Sequence, residues 1–235
     1  MKNIKTTSYH KRFQYECMKM STPSSKKWLQ RQRKDEFVKQ AKKEGIRSRA
    51  VYKLREIQQK HNLIKKNMQI LELGAAPGSW TEELARIVGA SGHIYAVDRL
   101  EMQPINCVDI KQYDIESEEF IQWLEKTVAN EGVDIVLSDM APNMCGHQQT
   151  DQLRAMSLCE LVIDIAKQCL KQDGCILMKT FQGVGFKELL TELRGQFKSV
   201  SLAKPKASMR SATEVYIVAK GYKHKHVLAK IGDQE

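Results

Sequence analysis

The chain has 235 residues, of which 42% are hydrophobic, and it carries a formal net charge of +10 at neutral pH. This length and hydrophobic fraction suffice for one large α/β domain with an appendage, and they exclude wholesale disorder. No apolar run approaches the ~20 residues that a membrane-spanning helix needs. The basic, polar N-terminus lacks the apolar core of a secretory signal, so we expect a cytoplasmic protein.

The hydrophobic pattern changes along the chain from helices alone to alternating strands and helices. Residues 1–23 and 224–235 lack periodicity and predict tails, the first of them basic and flexible. One helix is expected to begin at a cap on Ser25 and to end at Gly45, and a second to span about 48–60. The strands expected after them are 68–73, 93–98, about 105–109, 133–139, 175–180, 197–203 and 213–220. The helices expected between the strands are 78–89, 117–129, about 151–171, closed by Asp173 and Gly174, and 185–195.

This alternation predicts an α/β fold with a mostly parallel sheet and helices on both faces. Ligands of such sheets bind outside the carboxyl ends of the strands. Gly74, Asp98, Asp139 and Lys179 all lie at such strand ends. We therefore expect these four residues to share one edge of the sheet.

The charge is unevenly distributed along the chain. Residues 1–66 hold 20 lysines and arginines against 5 acidic residues, whereas residues 67–235 hold 18 against 23. A basic segment joined to a mildly acidic body suggests a polyanionic partner, although a merely soluble basic tail would show the same excess. Interleaved aromatic residues in the same segment suit base stacking. The candidate phosphate contacts are Lys26, Lys27, Arg31, Arg33, Lys34, Lys42, Lys43, Arg47 and Arg49.

The six cysteines form no CxxC pair, and the six histidines do not cluster with them at metal-ligand spacing. This pattern is typical of buried or incidental thiols in a reducing compartment. We therefore expect no metal site.

The segment LELGAAPGSW (71–80) reads as a strand, a turn of small residues and the start of a helix. Its glycines let the backbone approach a ligand closely, but it matches neither GxGxxG nor the phosphate-binding P-loop. Asp98 follows Gly74 by 24 residues, which fits an adenosyl ligand whose ribose hydroxyls are accepted by a carboxylate. Asp114 follows another strand and could meet the adenine amino group. A nicotinamide or flavin ligand, or none, remains an alternative.

Lys179 stands at the tip of the core strand in ILMKTFQG. Its simplest interpretation is a side chain that reaches from the strand end to water. The alternative is an ammonium group placed at a ligand site.

Six motifs occur in one order along the chain: SRAVYKL, GAAPGSW, VDRLEMQPI, SDMAPNMCG, MKTFQG and RSATEVYIVA. Together they resemble the FtsJ-like family of S-adenosylmethionine-dependent RNA 2'-O-methyltransferases. Its bacterial branch, which modifies a uridine in the A-loop of large-subunit (23S) ribosomal RNA, is the most similar. The resemblance implies a Rossmann-like methyltransferase fold with a seven-stranded sheet, S-adenosylmethionine as cofactor and ribosomal RNA as partner. It covers residues 24–223, with a basic helical RNA-binding extension at 24–66.

The resemblance also implies site residues. The catalytic set falls on Lys53, Asp139, Lys179 and Glu214. The cofactor contacts fall on Gly78, Trp80, Asp98, Asp114 and Asp139, in addition to Gly74 of the turn itself. Ser79 stands where the bacterial branch commonly has a second glycine, and we expect this small side chain to have little effect.

The chemistry assigns roles to the four catalytic candidates. A ribose hydroxyl is a poor nucleophile until its proton is accepted, so the site must supply a base and orientation. We expect Lys179 to be the general base or the group that activates the 2'-oxygen, and Asp139 to orient it. Lys53 and Glu214 would hold the ribose. Periodicity alone favours surface charges for these two, whereas the order of the motifs favours the catalytic interpretation.

Several alternative functions can be compared by the sequence features that each would require. A tRNA or another RNA could be the substrate of the same chemistry. A small-molecule O-methyltransferase would not need the basic N-terminal segment, and an RNA-binding protein with an inactive site would be expected to lose Lys179, Asp139 or the glycine turn. A nicotinamide oxidoreductase is disfavoured by the missing GxGxxG. We expect a monomer.

Overall fold

The structure, a computed structural model, describes residues 35–143, 145–208 and 213–223. The predicted tails, the cap on Ser25 and five of the basic candidates (Lys26, Lys27, Arg31, Arg33 and Lys34) lie outside the described residues. The chain divides into two compact units, one up to Arg49 and one from Ala50 onward. None of the described helices is long and apolar enough to cross a membrane.

In the first unit, helix α1 spans Glu36–Lys43. Asp35 has an extended backbone and caps the helix, since its carboxylate accepts the N–H groups of Phe37 (2.9 Å) and Val38 (3.3 Å). The prediction of one uninterrupted helix from Ser25 is therefore wrong, because a residue in extended conformation separates Glu36 from whatever precedes it. Gly45 follows the helix with a φ of +70°, as expected for a helix stop.

The second unit is a sheet with helices between its strands. In chain order its elements are α2 (Ala50–His61), β1 (Gln69–Leu73), α3 (Ser79–Val88), β2 (His93–Asp98), β3 (Asp109–Gln112), α4 (Glu118–Trp123), a π-helical turn (Leu124–Val128), α5 (Ala129–Glu131), β4 (Val133–Ser138), α6 (Gln148–Cys169), β5 (Leu170–Phe181), α7 (Phe186–Gln196), β6 (Phe197–Ala203) and β7 (Glu214–Tyr222).

The described residues form a seven-stranded sheet in the order β3-β2-β1-β4-β5-β7-β6. Strands β1 to β5 pair in parallel, and β7 runs antiparallel to both of its neighbours, β5 and β6. The predicted α/β fold with a mostly parallel sheet is thus confirmed. The reversed strand β7 makes the sheet a mixed one. Because β7 is reversed, its first residue lies at the edge where the parallel strands end.

Two predicted elements of the second unit are displaced from those observed. The third strand lies at Asp109–Gln112 rather than 105–109, because the chain turns at Cys107, whose φ is +62°. Helix α6 ends at Cys169, and Asp173 and Gly174 lie inside β5 instead of closing the helix. The β4–β5 pairing shifts register there, so that a left-handed Asp173 (φ +64°) is accommodated within the strand.

The core lies on both faces of the sheet, as alternation along its strands requires. On one face Leu71 and Val136 belong to a buried cluster with residues of α4, α6 and α7. On the other face Ile70 and Leu137 belong to a cluster with residues of α2 and α3. The central strands are therefore buried on both sides, and polar groups become accessible only beyond their ends.

Candidate active site

The turn between β1 and α3 requires glycine at its first position. Gly74 has a φ of +76°, and its N–H and that of Ala75 donate to the carbonyl of Val97 at 2.9 and 3.1 Å. A Cβ on Gly74 would lie 2.1 Å from Cγ of Met140. Both the backbone conformation and the packing of Met140 therefore exclude a side chain here.

Asp98, at the end of β2, is bonded through both carboxylate oxygens. One oxygen accepts the N–H of Ala76 (2.9 Å) and the other accepts the N–H of Leu100 (2.8 Å). These bonds fix the carboxylate beside the β1–α3 turn. Since each oxygen has a second lone pair, the group can still accept hydrogen bonds from a ligand.

A cleft of about 810 Å³ opens at this edge of the sheet. Its lining includes Gly74, Asp98, Asp114 and Asp139, four of the six predicted cofactor residues. Its volume lies in the range of small-molecule sites, roughly 300–1,000 Å³. The exposed side chains of Leu100 and Leu153 also line it and give it apolar surface beside the carboxylates.

The other two predicted cofactor residues lie outside the lining of this cleft. Gly78 precedes α3 with a left-handed backbone (φ +97°). Trp80 is buried, and its indole N–H donates to the carbonyl of Ala50 at 2.7 Å. The structure thus gives both residues a role in shaping the start of α3, and their contact with a cofactor stays a prediction.

The four catalytic candidates form two ion pairs. Lys53 Nζ lies 2.8 Å from Glu214 Oε1, and Lys179 Nζ lies 3.2 Å from Asp139 Oδ1. The ammonium group of Lys179 also donates to the backbone carbonyl of Asp139. The lysine side chains are only 7% and 9% exposed, so neither is a surface charge reaching freely into water.

Strand register explains why these side chains converge. Lys179 is paired with Tyr216 and Phe181 with Glu214 across β5 and β7. Alternate residues of a strand share a face, so Lys179, Glu214 and Tyr216 face the side of the sheet that α2 covers. Lys53 projects from α2 toward Glu214, and Asp139 follows directly after β4.

Tyr216 is a site residue that the sequence interpretation missed. Its hydroxyl donates to Oδ1 of Asp139, and its ring centroid lies 5.5 Å from Lys53 Nζ and 6.0 Å from that of Trp80. Its position two residues after Glu214 could have indicated it, because that spacing puts both side chains on one face of a strand.

Ser208 also belongs to the cluster and lies in the loop before β7. Its hydroxyl donates to Oε1 of Glu214 at 2.7 Å, the same oxygen that Lys53 contacts. No periodicity marks this loop residue in the sequence. It could be found only from the tertiary structure.

Another carboxyl group lies below the cleft. Glu72 on β1 is 2% exposed and accepts the hydroxyl hydrogen of Thr81 at 2.7 Å. Burial raises the pKa of Glu72 to about 8, the Thr81 hydrogen bond opposes this rise, and nearby Asp139 and Asp98 add to it. Such a carboxyl group is largely protonated at neutral pH.

The loop after β4 is held to α6 by two side chains. Asp151 accepts the N–H groups of Cys145 (2.7 Å) and Gly146 (3.0 Å), and these bonds lower its pKa. Arg154 donates to the carbonyl of Asn143 at 3.0 Å and lines the cleft. In the described part of the chain, no group of three or more histidine, cysteine or acidic side chains could hold a metal ion.

The seven-stranded mixed sheet with a reversed β7, together with the glycine turn and the strand-end carboxylate, is the α/β methyltransferase fold. Residues 46–222 match the FtsJ-like methyltransferases, and the chain belongs to this family. It is also similar to a crystal structure from Plasmodium falciparum described as a candidate ribosomal RNA methyltransferase. The two chains are 30% identical with a TM-score of 0.66, over 75% of this chain and 98% of the other. The predicted FtsJ-like family is therefore confirmed, and the assignment to its bacterial branch stays a prediction.

Proposed function

We propose that this protein transfers a methyl group from S-adenosylmethionine to the 2'-oxygen of a ribose in RNA. The observation that carries the proposal is the cluster of Lys53, Glu214, Asp139 and Lys179, in which Asp139 also lines the 810 Å³ cleft. The cleft would hold the methyl donor, and the lysines would lie where the acceptor must enter. FtsJ-like methyltransferases generally use S-adenosylmethionine, which agrees with the residues present.

The cofactor residues fit an adenosyl ligand. Asp98 would accept the ribose hydroxyls of the cofactor, and Asp114 the amino group of its adenine. Gly74 lines the cleft, so its backbone could lie close to the methionine part. Gly78 and Trp80 would act by holding the start of α3, where the turn ends.

Methyl transfer makes a C–O bond to the 2'-oxygen and breaks a C–S bond. S-adenosylmethionine, when bound, supplies a methyl group on a sulfonium centre. As a neutral amine, Lys179 would hold the 2'-hydroxyl in line with that methyl group and accept its proton as the C–O bond forms, while the electrons of the broken C–S bond stay with the sulfur. Asp139 would keep the amine of Lys179 at the end of β5, and Lys53 with Glu214 would orient the ribose.

Ribosomal RNA is the substrate that we propose, with a uridine in the A-loop of the 23S molecule as the specific target. The description of the Plasmodium falciparum structure supports ribosomal RNA as the substrate, and the resemblance to the bacterial branch supports the uridine target. A tRNA or another RNA is the alternative. We also propose that the protein acts as a monomer in the cytoplasm.

The basic segment before Ala50 would bind the phosphates of the RNA. Lys42 and Lys43 are exposed, whereas Arg47 and Arg49 are half-buried and Arg49 pairs with Asp35 at 2.8 Å. Replacing Lys42 and Lys43 with glutamine should lower the slope of log affinity against log salt by roughly 0.7–0.9 per lost phosphate contact. An unchanged slope would remove these two residues from the interface.

Methylation with isotope-labelled S-adenosylmethionine tests the proposed function. Purified protein is incubated with large-subunit ribosomal RNA, with the assembled subunit and with tRNA, and nucleosides are mapped by mass spectrometry. We expect label on a ribose 2'-oxygen of the ribosomal substrate, and loss of the same modification in cells that lack the protein. Label on a base, or on none of the three substrates, would refute the proposal.

A further inference from the structure

Tyr216 contacts both ion pairs of the candidate active site. Its hydroxyl donates to Oδ1 of Asp139, the oxygen that also lies 3.2 Å from Lys179 Nζ. Its ring lies beneath Lys53, whose ammonium group is 5.5 Å from the ring centroid and 2.8 Å from Glu214. One rigid side chain therefore connects two pairs of charges that come from α2, β5, β7 and the loop after β4.

The surroundings of Tyr216 leave its ring little freedom. The side chain is fully buried, and the ring centroid of Trp80 lies 6.0 Å away. Tyr216 is also the direct cross-strand neighbour of Lys179, at the distance where side chains on one face touch. Because a buried aromatic side chain has only two torsions, its hydroxyl can occupy a much smaller range of positions than the end of a flexible side chain can.

The hydrogen bond from the Tyr216 hydroxyl restricts the orientation of the Asp139 carboxylate. A carboxylate after a strand end can rotate about its side-chain torsions, and only some orientations present Oδ1 to the amine of Lys179. The bond from Tyr216 selects such an orientation. A hydrogen bond to a charged group is stronger than one between neutral groups, so this preference is substantial.

We propose that Tyr216 is a positioning residue for methyl transfer, which holds Asp139 toward Lys179 and supports Lys53 through its ring. The inference rests on the proposed function. Tyr216 would not touch the reacting atoms. It would act through Asp139, and its loss should lower the rate of the chemical step without weakening cofactor binding.

The test begins with Tyr216→Phe, which keeps the ring and removes only the hydroxyl. Tyr222→Phe is the matched control, since Tyr222 lies on the same strand at its opposite end and packs against Phe197. We expect Tyr216→Phe to lower kcat roughly 10- to 100-fold, as loss of a hydrogen bond to a charged group predicts. KM for RNA and the calorimetric affinity for S-adenosylmethionine should stay within about twofold of wild type, and the control should match wild type throughout.

A double-mutant cycle with Asp139 tests whether Tyr216 affects kcat through the Asp139 carboxylate. If Tyr216 acts through Asp139, then adding Tyr216→Phe to Asp139→Asn should cost much less than it costs the wild type. Full additivity, or a Tyr216→Phe variant with wild-type kcat, would overturn the proposal. A change in cofactor affinity equal to the change in kcat would also overturn it.

The design separates two kinds of failure. If wild-type protein methylates no RNA, the proposed function fails before the variants are compared. If wild-type protein is active and Tyr216→Phe equals it, only the positioning role fails. Thermal unfolding of both variants shows whether a loss of rate merely follows a loss of fold.

Discussion

Replacement of Lys179 gives the sharpest test of the candidate site. Lys179→Ala removes an amine that contacts both the carboxylate and the backbone carbonyl of Asp139. Loss of a positioned base typically lowers a rate ~10²–10⁴-fold, and a misplaced ribose would add to this. Lys179→Arg should be almost as harmful, because a guanidinium group keeps its proton and cannot accept another.

The effect of Lys179→Ala on folding should be much smaller than its effect on the rate. Breaking a fully buried ion pair costs about 3–5 kcal/mol because it leaves an uncompensated charge. Asp139 is 19% exposed and keeps the hydrogen bond from Tyr216, so water and the hydroxyl stabilise the remaining carboxylate. We therefore expect a loss of about 1–2 kcal/mol in the free energy of unfolding, below the range for full burial.

Single-turnover methylation of RNA measures the chemical step of these variants without product release. Calorimetry with S-adenosylmethionine shows whether the cofactor still binds, and chemical denaturation measures stability. Lys171→Ala is a control on the same strand, since Lys171 pairs with Asp134 at the opposite end of β5. An arginine variant that retains most of the wild-type rate would refute the base role of Lys179.

Three further predictions concern the cleft and the carboxyl group below it. Asp98→Ala should weaken S-adenosylmethionine binding by ~1.5–3 kcal/mol, as loss of charge-assisted acceptors predicts, and unchanged calorimetric affinity would remove Asp98 from the ribose site. Gly74→Ala should impair both folding and cofactor binding, whereas Gly45→Ala, with a similar φ but no atom within 4 Å, should show backbone strain alone. Glu72 has a pKa of about 8, above its ordinary 4.5, so its folded form retains a proton that the unfolded chain loses. The free energy of unfolding of the wild type should therefore fall as the pH rises from 4.5 to 8. Glu72→Gln, measured by chemical denaturation, should reduce that fall by up to about 1.4 kcal/mol per pH unit. If the stabilities of the variant and the wild type change equally with pH, the raised pKa of Glu72 is contradicted.

The sequence predicted those parts of the fold that depend on local patterns. Strands β2 and β6 have the predicted bounds, and β2 is an apolar run followed by turn residues. Lys179 and Asp139 were expected at one edge since parallel strands end together, and their 3.2 Å separation agrees with that rule. The third strand and the start of β5 were misplaced because pairing with neighbouring strands, rather than local pattern, decides where a short or irregular strand begins.

The parts of the site that local periodicity did not reveal depend on tertiary structure. Lys53 lies off the apolar stripe of α2 and by periodicity alone would be exposed, yet it is buried against Glu214, which is 161 residues away. Ser208 contributes a hydroxyl from a loop without any repeating pattern. Tyr216 reads as an ordinary core residue of an apolar strand until the position of Asp139 is known.

The reversed strand β7 has a consequence for the order in which the molecule is completed during synthesis. The cofactor turn and Asp139 leave the ribosome before Glu214 and Tyr216, since 75 residues separate Asp139 from Glu214. At a translation rate of ~5–20 residues per second, this interval lasts roughly 4–15 s. Until β7 enters between β5 and β6, β5 presents an unpaired edge, and Lys53 and Asp139 lack their contacts from that strand. A nascent chain would thus acquire the residues for the cofactor first and the complete charged cluster last.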